Sequence, residues 1–157
     1  MKSSKTNALR LLDVRGIRYL PHENDVEESD LSGETVAKKI GVDPDSVFKT
    51  LVAHGNGNAP FVFCLPVTAE LNLKKAALAA GQKSIELVKV SELLGLTGYI
   101  RGGCSPIGMK KLFPTFIDET AQLFEKIYVS AGMRGMQIQI SPDDLLPVID
   151  AVYADLI

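Results

Sequence analysis

Apolar residues along this chain follow two rhythms, a helical one and a strand-like one, and the switches between them divide the sequence into elements. Leu9, Leu12 and Val14 fall roughly on one face behind a cap at Thr6 or Asn7, with Gly16 as the stop, which predicts a first helix. "IRYL" (17–20) reads as a short strand, and the acidic, unpatterned "PHENDVEESD" (21–30) as an exposed loop. Val36, Ala37 and Ile40 recur at helical spacing between a Ser32 cap and Gly41, and Asp43–Pro44 predicts a single turn. "FKTLVAH" (48–54) and "FVFCLPV" (61–67) flank the turn residues "GNGNA", the pattern of a hairpin.

Asn72 then caps a helix closed by Gly81, followed by a strand at "SIELVK" (84–89) and a short helix from about Ser91. "TFIDETAQLF" follows, and "KIYVSAG" (126–132) and "GMQIQI" (135–140) predict a second hairpin. "SPDDLLPVIDAVYADL" (141–156) reads as a closing helix, with a Ser141 cap, Pro142 at the first position and acids complementing the dipole in the first turn. Short helices among paired strands, without regular alternation, predict an α+β fold with a mixed sheet. With no repeat and no linker, residues 1–157 are expected to form a single compact domain.

Composition narrows the class. Hydrophobic residues make up 46% and charged residues 23%, as in ordinary soluble proteins. Seventeen basic against 19 acidic residues give a net charge of −2, which argues against a protein that grips DNA or any long duplex; a short nucleic-acid end held by a local basic surface stays open. No stretch approaches the ~18–20 apolar residues of a membrane span, and "MKSSKTNALRLLDV" lacks a signal-type apolar run. Two cysteines 40 positions apart fit a reducing compartment, so a cytoplasmic protein without membrane contact is expected.

Few residues carry candidate chemistry. The only histidines, His22 and His54, have no sequence signature linking them to a nucleophile, and no His/Cys/Asp/Glu cluster has metal-ligand spacing, so neither metal nor cofactor is expected. Lys49 lies within "VFKTLV" and shares a strand face with Leu51; it points inward, into a cleft, or is an edge lysine with its head in water. The loop "RGGCSPIG" (101–108) is the other candidate. Gly102 and Gly103 permit positive φ and close approach, Pro106 stiffens the turn, and the amides of Cys104 and Ser105 can converge on an oxygen as oxyanion-hole donors do. Such a string also suits an ordinary tight connection. Lys110, Lys111 and Arg134 offer positive charge for a phosphate, or are plain surface cations.

Taken in order, "KTNALRLLD", "SGETVAKKIG", "VFKTLV", "PVTAELNLKKAA", "TGYIRGGCSPIGMKK", "IDETA" and "IYVSAGMRG" resemble the YbaK/EbsC family of freestanding aminoacyl-tRNA deacylases, related to the editing domain of bacterial prolyl-tRNA synthetases. The resemblance implies a partly barrel-like mixed sheet surrounded by helices. It also implies hydrolysis of the ester joining an amino acid to tRNA, with the acceptor end of proline tRNA as partner and prolyl-tRNA synthetase as a further one. In the best-known activity, on Cys-tRNA(Pro), the substrate's own thiol attacks its carbonyl, a step that would class the enzyme as a lyase if the thiol cyclises.

Carried over by position, Lys49 matches the family's essential lysine, and Gly102, Gly103, Cys104, Ser105 and Pro106 its GxxxP-type loop. Lys49 and the amides of 103–105 would then stabilise the developing oxyanion, with Ser130 and Arg134 lining the same cleft. Asn24 stands where the family often has tyrosine, and Gln137 where many members carry an acid; both can hydrogen-bond a substrate. Rival readings are a deacylase for another small amino acid, such as Ala-tRNA(Pro), a non-catalytic binder of the tRNA acceptor end or a synthetase, and a small-molecule hydrolase using Cys104.

Overall fold

A computed structural model describes residues 5–157. The predicted absence of a leader in the first residues concerns a stretch whose Met1–Ser4 lie outside the described residues. Thirteen regular elements follow in order: α1 (Asn7–Val14), β1 (Leu20–Glu23), α2 (Gly33–Ile40), β2 (Phe48–His54), β3 (Pro60–Pro66), α3 (Leu73–Ala80), β4 (Glu86–Leu87), α4 (Val90–Thr97), β5 (Thr115–Asp118), β6 (Ile127–Met133), β7 (Met136–Ile140), α5 (Pro142–Ile149) and β8 (Ala151–Ala154). The fold is mixed α/β. One sheet has the order β4-β2-β3-β5-β8, and the other β1-β7-β6. The pairs β3–β5 and β5–β8 are parallel, while the others are antiparallel. A parallel bridge between Val47 and Tyr128 joins the sheets, so the strands curl together without closing into a barrel.

Caps and breakers act largely where the sequence places them. The Thr6 and Ser32 hydroxyls accept from the amides of Leu9 and Thr35, Asn72 accepts from Lys74 and Lys75, and Gly41 and Gly81 end their helices in the left-handed conformation. The β2–β3 hairpin pairs Phe48 with Pro66 through His54 with Pro60, and it divides the interior in two. Phe48, Val52, Val62 and Cys64 face a large core shared with α1, β6, β7 and α5. Ala53, Phe61, Phe63 and Leu65 face a smaller one completed by Ala76 and Ala77 of α3 and by Leu156. Full burial of a side chain such as Phe63 contributes roughly 1.5–3 kcal/mol.

Several expectations change. Val14 is 84% exposed and does not join Leu9 and Leu12 in the core, because α1 ends there and Arg15–Gly16 turn the chain away. The first strand begins three residues later than "IRYL" predicts and takes Pro21–Glu23 from the supposed loop, since β7 offers its edge there. "SIELVK" supplies only a two-residue strand. Ser141 occupies the cap position of α5 without a side-chain cap bond. The closing helix stops at Ile149: Asp150 adopts a left-handed conformation (φ 50°), and the next four residues pair in parallel with β5. That strand is won by a partner more than 30 residues away, a gain invisible to local periodicity.

Candidate functional site

The strand β2 positions the site. Its odd-numbered residues bond β3, as Val67 N–H to Val47 O (2.8 Å) and Gly55 N–H to Ala59 O (2.7 Å) show at the two ends. Its even-numbered residues therefore point their N–H and C=O groups to the other edge. There β4 covers only Ala53 and His54, with Val88 N–H reaching Val52 O at 3.0 Å. Thr50 is left in the gap, its main-chain donor and acceptor unpaired among the described residues. A cleft of about 500 Å³ opens along this edge. It is walled by the start of α2, by Leu87–Val90 and Leu93 ahead of and within α4, and by Arg101, Gly102 and Cys104, with Gln137 of β7 at the remaining side.

Lys49 lies in this wall, half-buried, and its ammonium makes neither hydrogen bond nor ion pair among the described residues. Of the alternatives open in the sequence, it takes the cleft. Lys89 and Arg101 also line the cleft with free head groups, whereas the lining contains one carboxylate, Glu34. A chain of net charge −2 thus concentrates three unpaired cations in one cavity. Gln137 is 6% exposed, and its side-chain amide forms no hydrogen bond with any described residue. Its amide atoms are not sealed from the cavity, so they stay available to water or a ligand there.

The glycine-rich loop is held from behind. Gly102 has φ +85°, and a Cβ on Gly103 would come within 3.0 Å of Arg134 N and of Met133 C, so glycine here serves close backbone contact with the β6–β7 turn. Gly103 is not in the left-handed region, contrary to one part of the sequence reading. Its N–H donates to Ile100 O at 3.0 Å. Ser105 is fully buried, with its Oγ accepting from Ile107 N–H (3.1 Å), and Pro106 is buried beside it. Tyr99 O–H donates to Ile107 O at 2.6 Å, and burial pushes that phenol up to about 12. Of the three amides at 103–105, therefore, only that of Cys104 belongs to a residue facing the cleft.

Cys104 is a poor nucleophile. Burial pushes its thiol up to about 11, and that of Cys64 to about 12, and both thiols are free. Neither histidine lines the cleft. His22 Nε2 lies 3.1 Å from Gln139 Oε1, and His54 Nε2 lies 2.8 Å from Glu92 Oε2, pinning α4 to the end of β2. Among the described residues, no histidine is placed to activate the thiol. No group of three or more His, Cys, Asp or Glu among the described residues is arranged to hold a metal ion.

The remaining candidates lie behind the loop. Arg134 Nε donates to Arg101 O (2.9 Å), and its guanidinium lies 4.0 Å from Glu28, so this cation braces the loop. Ser130 pairs with Gln137 across β6–β7 and accepts from Gly132 N–H, outside the main cleft. Asn24, Arg134, Gly102 and Gln137 border a smaller cavity of about 20 Å³, and Asn24 Oδ1 is buried there without a partner. Lys110 reaches Gly95 O at 3.4 Å, and neither it nor Lys111 lines the cleft. Sequence reasoning missed Lys89, Arg101 as a cleft cation, and Thr50. Only the first two had a signal, as cations flanking a predicted helix.

Comparison with known proteins defines the class. The aminoacyl-tRNA editing domain profile matches residues 27–147, and the chain belongs to that family; it is an editing enzyme, an aminoacyl-tRNA deacylase. Among individual relatives, it is 45% identical over 152 residues to a protein of Enterococcus faecalis provisionally named Cys-tRNA(Pro)/Cys-tRNA(Cys) deacylase EbsC, covering 97% of this chain and 93% of that one. It is 29% identical over 126 residues to the uncharacterized protein YwhH of Bacillus subtilis, covering 78% and 80%. The fold matches the crystal structure of hypothetical protein APE2540, with TM-score 0.87, 22% identity and coverage of 96% and 99%. It also matches one provisionally described as a trans-editing enzyme for prolyl tRNA synthetase, with TM-score 0.82, 24% identity and 98% coverage of both.

Proposed function

We propose that this chain, acting as one domain, deacylates Cys-tRNA(Pro), with the aminoacylated 3′ end of the tRNA seated in the cleft along β2. The observation that carries the reading is an unpaired lysine in a cleft where no protein nucleophile is activated. The name of the 45% identical relative supports the same substrate. Lys49 would hold its ammonium against the ester carbonyl oxygen, and Cys104 would contribute its main-chain N–H. Negative charge develops on that oxygen as the carbonyl is attacked, so donors fixed there stabilise the transition state more than the ground state.

The nucleophile is the substrate's own thiol. Its sulfur forms a bond to the carbonyl carbon, the C–O bond to the terminal ribose breaks, and the released 3′ oxygen takes the thiol proton. The cyclic thioester then reacts with water to give free cysteine. Gln137 would engage polar groups of the aminoacyl end, with Asn24, Ser130, Arg134, Gly103, Ser105 and Pro106 supporting the loop and floor from behind.

The test compares Cys-tRNA(Pro) with Ala-tRNA(Pro), using wild type and Lys49→Ala. Wild type should clear the cysteinyl ester far faster than the alanyl one, which lacks a thiol, and Lys49→Ala should lose roughly 10²–10³-fold in rate, as removal of an oxyanion donor does. Equal rates for wild type and Lys49→Ala would overturn the role of the lysine. Equal rates on the two esters would overturn the thiol mechanism.

A further inference from the structure

We infer that Lys89 and Arg101 form a two-point clamp on the sugar–phosphate backbone of a single-stranded RNA 3′ end, each holding a different phosphate. The inference rests on the editing reading and adds to it the residues that grip the RNA, as distinct from those that meet the ester. Both side chains line the cleft, both are exposed, and neither makes a hydrogen bond or ion pair among the described residues. Most other surface cations near the site are engaged: Lys39 with Glu27, Arg134 with Arg101 O and Glu28, and Lys110 with Gly95 O.

Their placement fixes the geometry. Lys89 sits at the N-cap position of α4, and Arg101 follows its C-terminal end by four residues. The eight residues of α4, about 12 Å long, and then Gly98, Tyr99 and Ile100 lie between them along the chain. The two cations thus reach the cleft from opposite ends of α4, and a strand lying along the helix would meet them at successive phosphates. No side chain caps α4, so its first amides remain directed toward the same anion. Arg101 is aimed from a carbonyl fixed by Arg134, and its planar fork suits two phosphate oxygens at once. The Gln137 amide opens into the same cavity without a protein partner among the described residues, a polar group available to a ligand there.

The experiment measures binding of uncharged tRNA, which carries no ester, to the full-length protein across a salt series. Wild type is compared with Lys89→Ala, Arg101→Ala and the double variant, all exposed positions whose folding circular dichroism can check. Each single change should weaken binding roughly two- to fivefold, the range of an exposed ion pair. Each should also flatten the slope of log affinity against log salt by about 0.7, the value for one single-strand phosphate contact. Cations holding different phosphates should act additively, giving a slope change of about 1.4 in the double variant; a double variant no flatter than either single one would overturn the two-point clamp.

On tRNA trimmed of its unpaired 3′ nucleotides, wild type and variants should bind alike. The clamp is overturned if the slopes do not change, or if the deficit persists on trimmed RNA. Failure of the editing reading looks different: wild type would bind tRNA with the predicted slopes yet release no amino acid from any ester.

Discussion

Replacing Gly103 with alanine tests whether the loop is placed by backbone contact. The added methyl would lie 3.0 Å from Arg134 N and Met133 C and 3.1 Å from Met133 Cα. All three are backbone atoms of a turn tied into the β6–β7 ladder, so no side chain can swing aside. Relief to an ordinary 3.4–4 Å contact requires the loop or the hairpin to retreat by several tenths of an ångström. Overpacking of this kind costs about 1–3 kcal/mol, and the reduced freedom of the unfolded chain offsets about 0.4–1 kcal/mol of it. A net loss of roughly 1–2 kcal/mol should lower Tm by roughly 2–8 °C in a chain of this size.

The effect on turnover should be larger than on stability, because the displaced segment carries Arg101, Gly102 and Cys104 into the cleft wall. Shifts approaching 1 Å at such a wall can cost about 10²-fold in rate. The assays are thermal unfolding and deacylation of Cys-tRNA(Pro), with Gly41→Ala as control. Unlike Gly103, that glycine is left-handed, at φ +72°, and nothing lies within 4 Å of an added Cβ, so the control should lose stability through backbone strain without losing specific rate. Unchanged Tm and rate in Gly103→Ala would refute the packing argument.

Two further predictions concern buried groups. Cys104→Ser keeps the main-chain amide, so it should retain most activity, and alkylation of Cys104 in the native protein should stay slow until pH approaches 11. Because the folded-state thiol is raised while the unfolded thiol ionises near its ordinary 9.0, the stability it contributes is present below pH 9 and is lost as pH rises through 11, measurable as a falling Tm. Asp118 is fully buried; its carboxylate accepts from Leu156 N–H (2.9 Å) and from Thr120 N–H (3.1 Å) and O–H (2.5 Å). Asp118→Ala should therefore cost about 3 kcal/mol, read as a lower urea midpoint; a loss below about 1 kcal/mol would contradict the role of these bonds.

What the sequence made legible follows from the range of the forces involved. The Ser32 cap, the Gly41 and Gly81 stops and both hairpins depend on residues within a few positions of one another, and each is found where expected. β8 was hidden because Val152 and Tyr153 become strand only through β5. The cleft was half visible. Alternation within "VFKTLV" narrowed the options for Lys49, but Lys89 and Arg101 are irregular-segment residues whose convergence depends on how α4 is laid against the sheet. The fate of the loop amides was equally non-local, since whether Gly103 or Ser105 faces a ligand depends on Ile100, Ile107 and the distant β6–β7 turn.

The division of the interior by β2 and β3 bears on how such an enzyme changes its substrate. The strand carrying Lys49 is anchored on both faces, in two separate cores. Those two helices supply the opposing walls and contribute comparatively little to either core: Ala37 is the buried residue of α2 and Thr97 that of α4. Gly33 at the head of α2 sets the spacing of one wall, because a Cβ there would overlap Val67. Drift in the side chains of these walls can resize the cavity and alter which aminoacyl group fits, while the reactive centre stays in register. Descendants of this scaffold can therefore diverge in the ester they recognise before they diverge in how they cleave it.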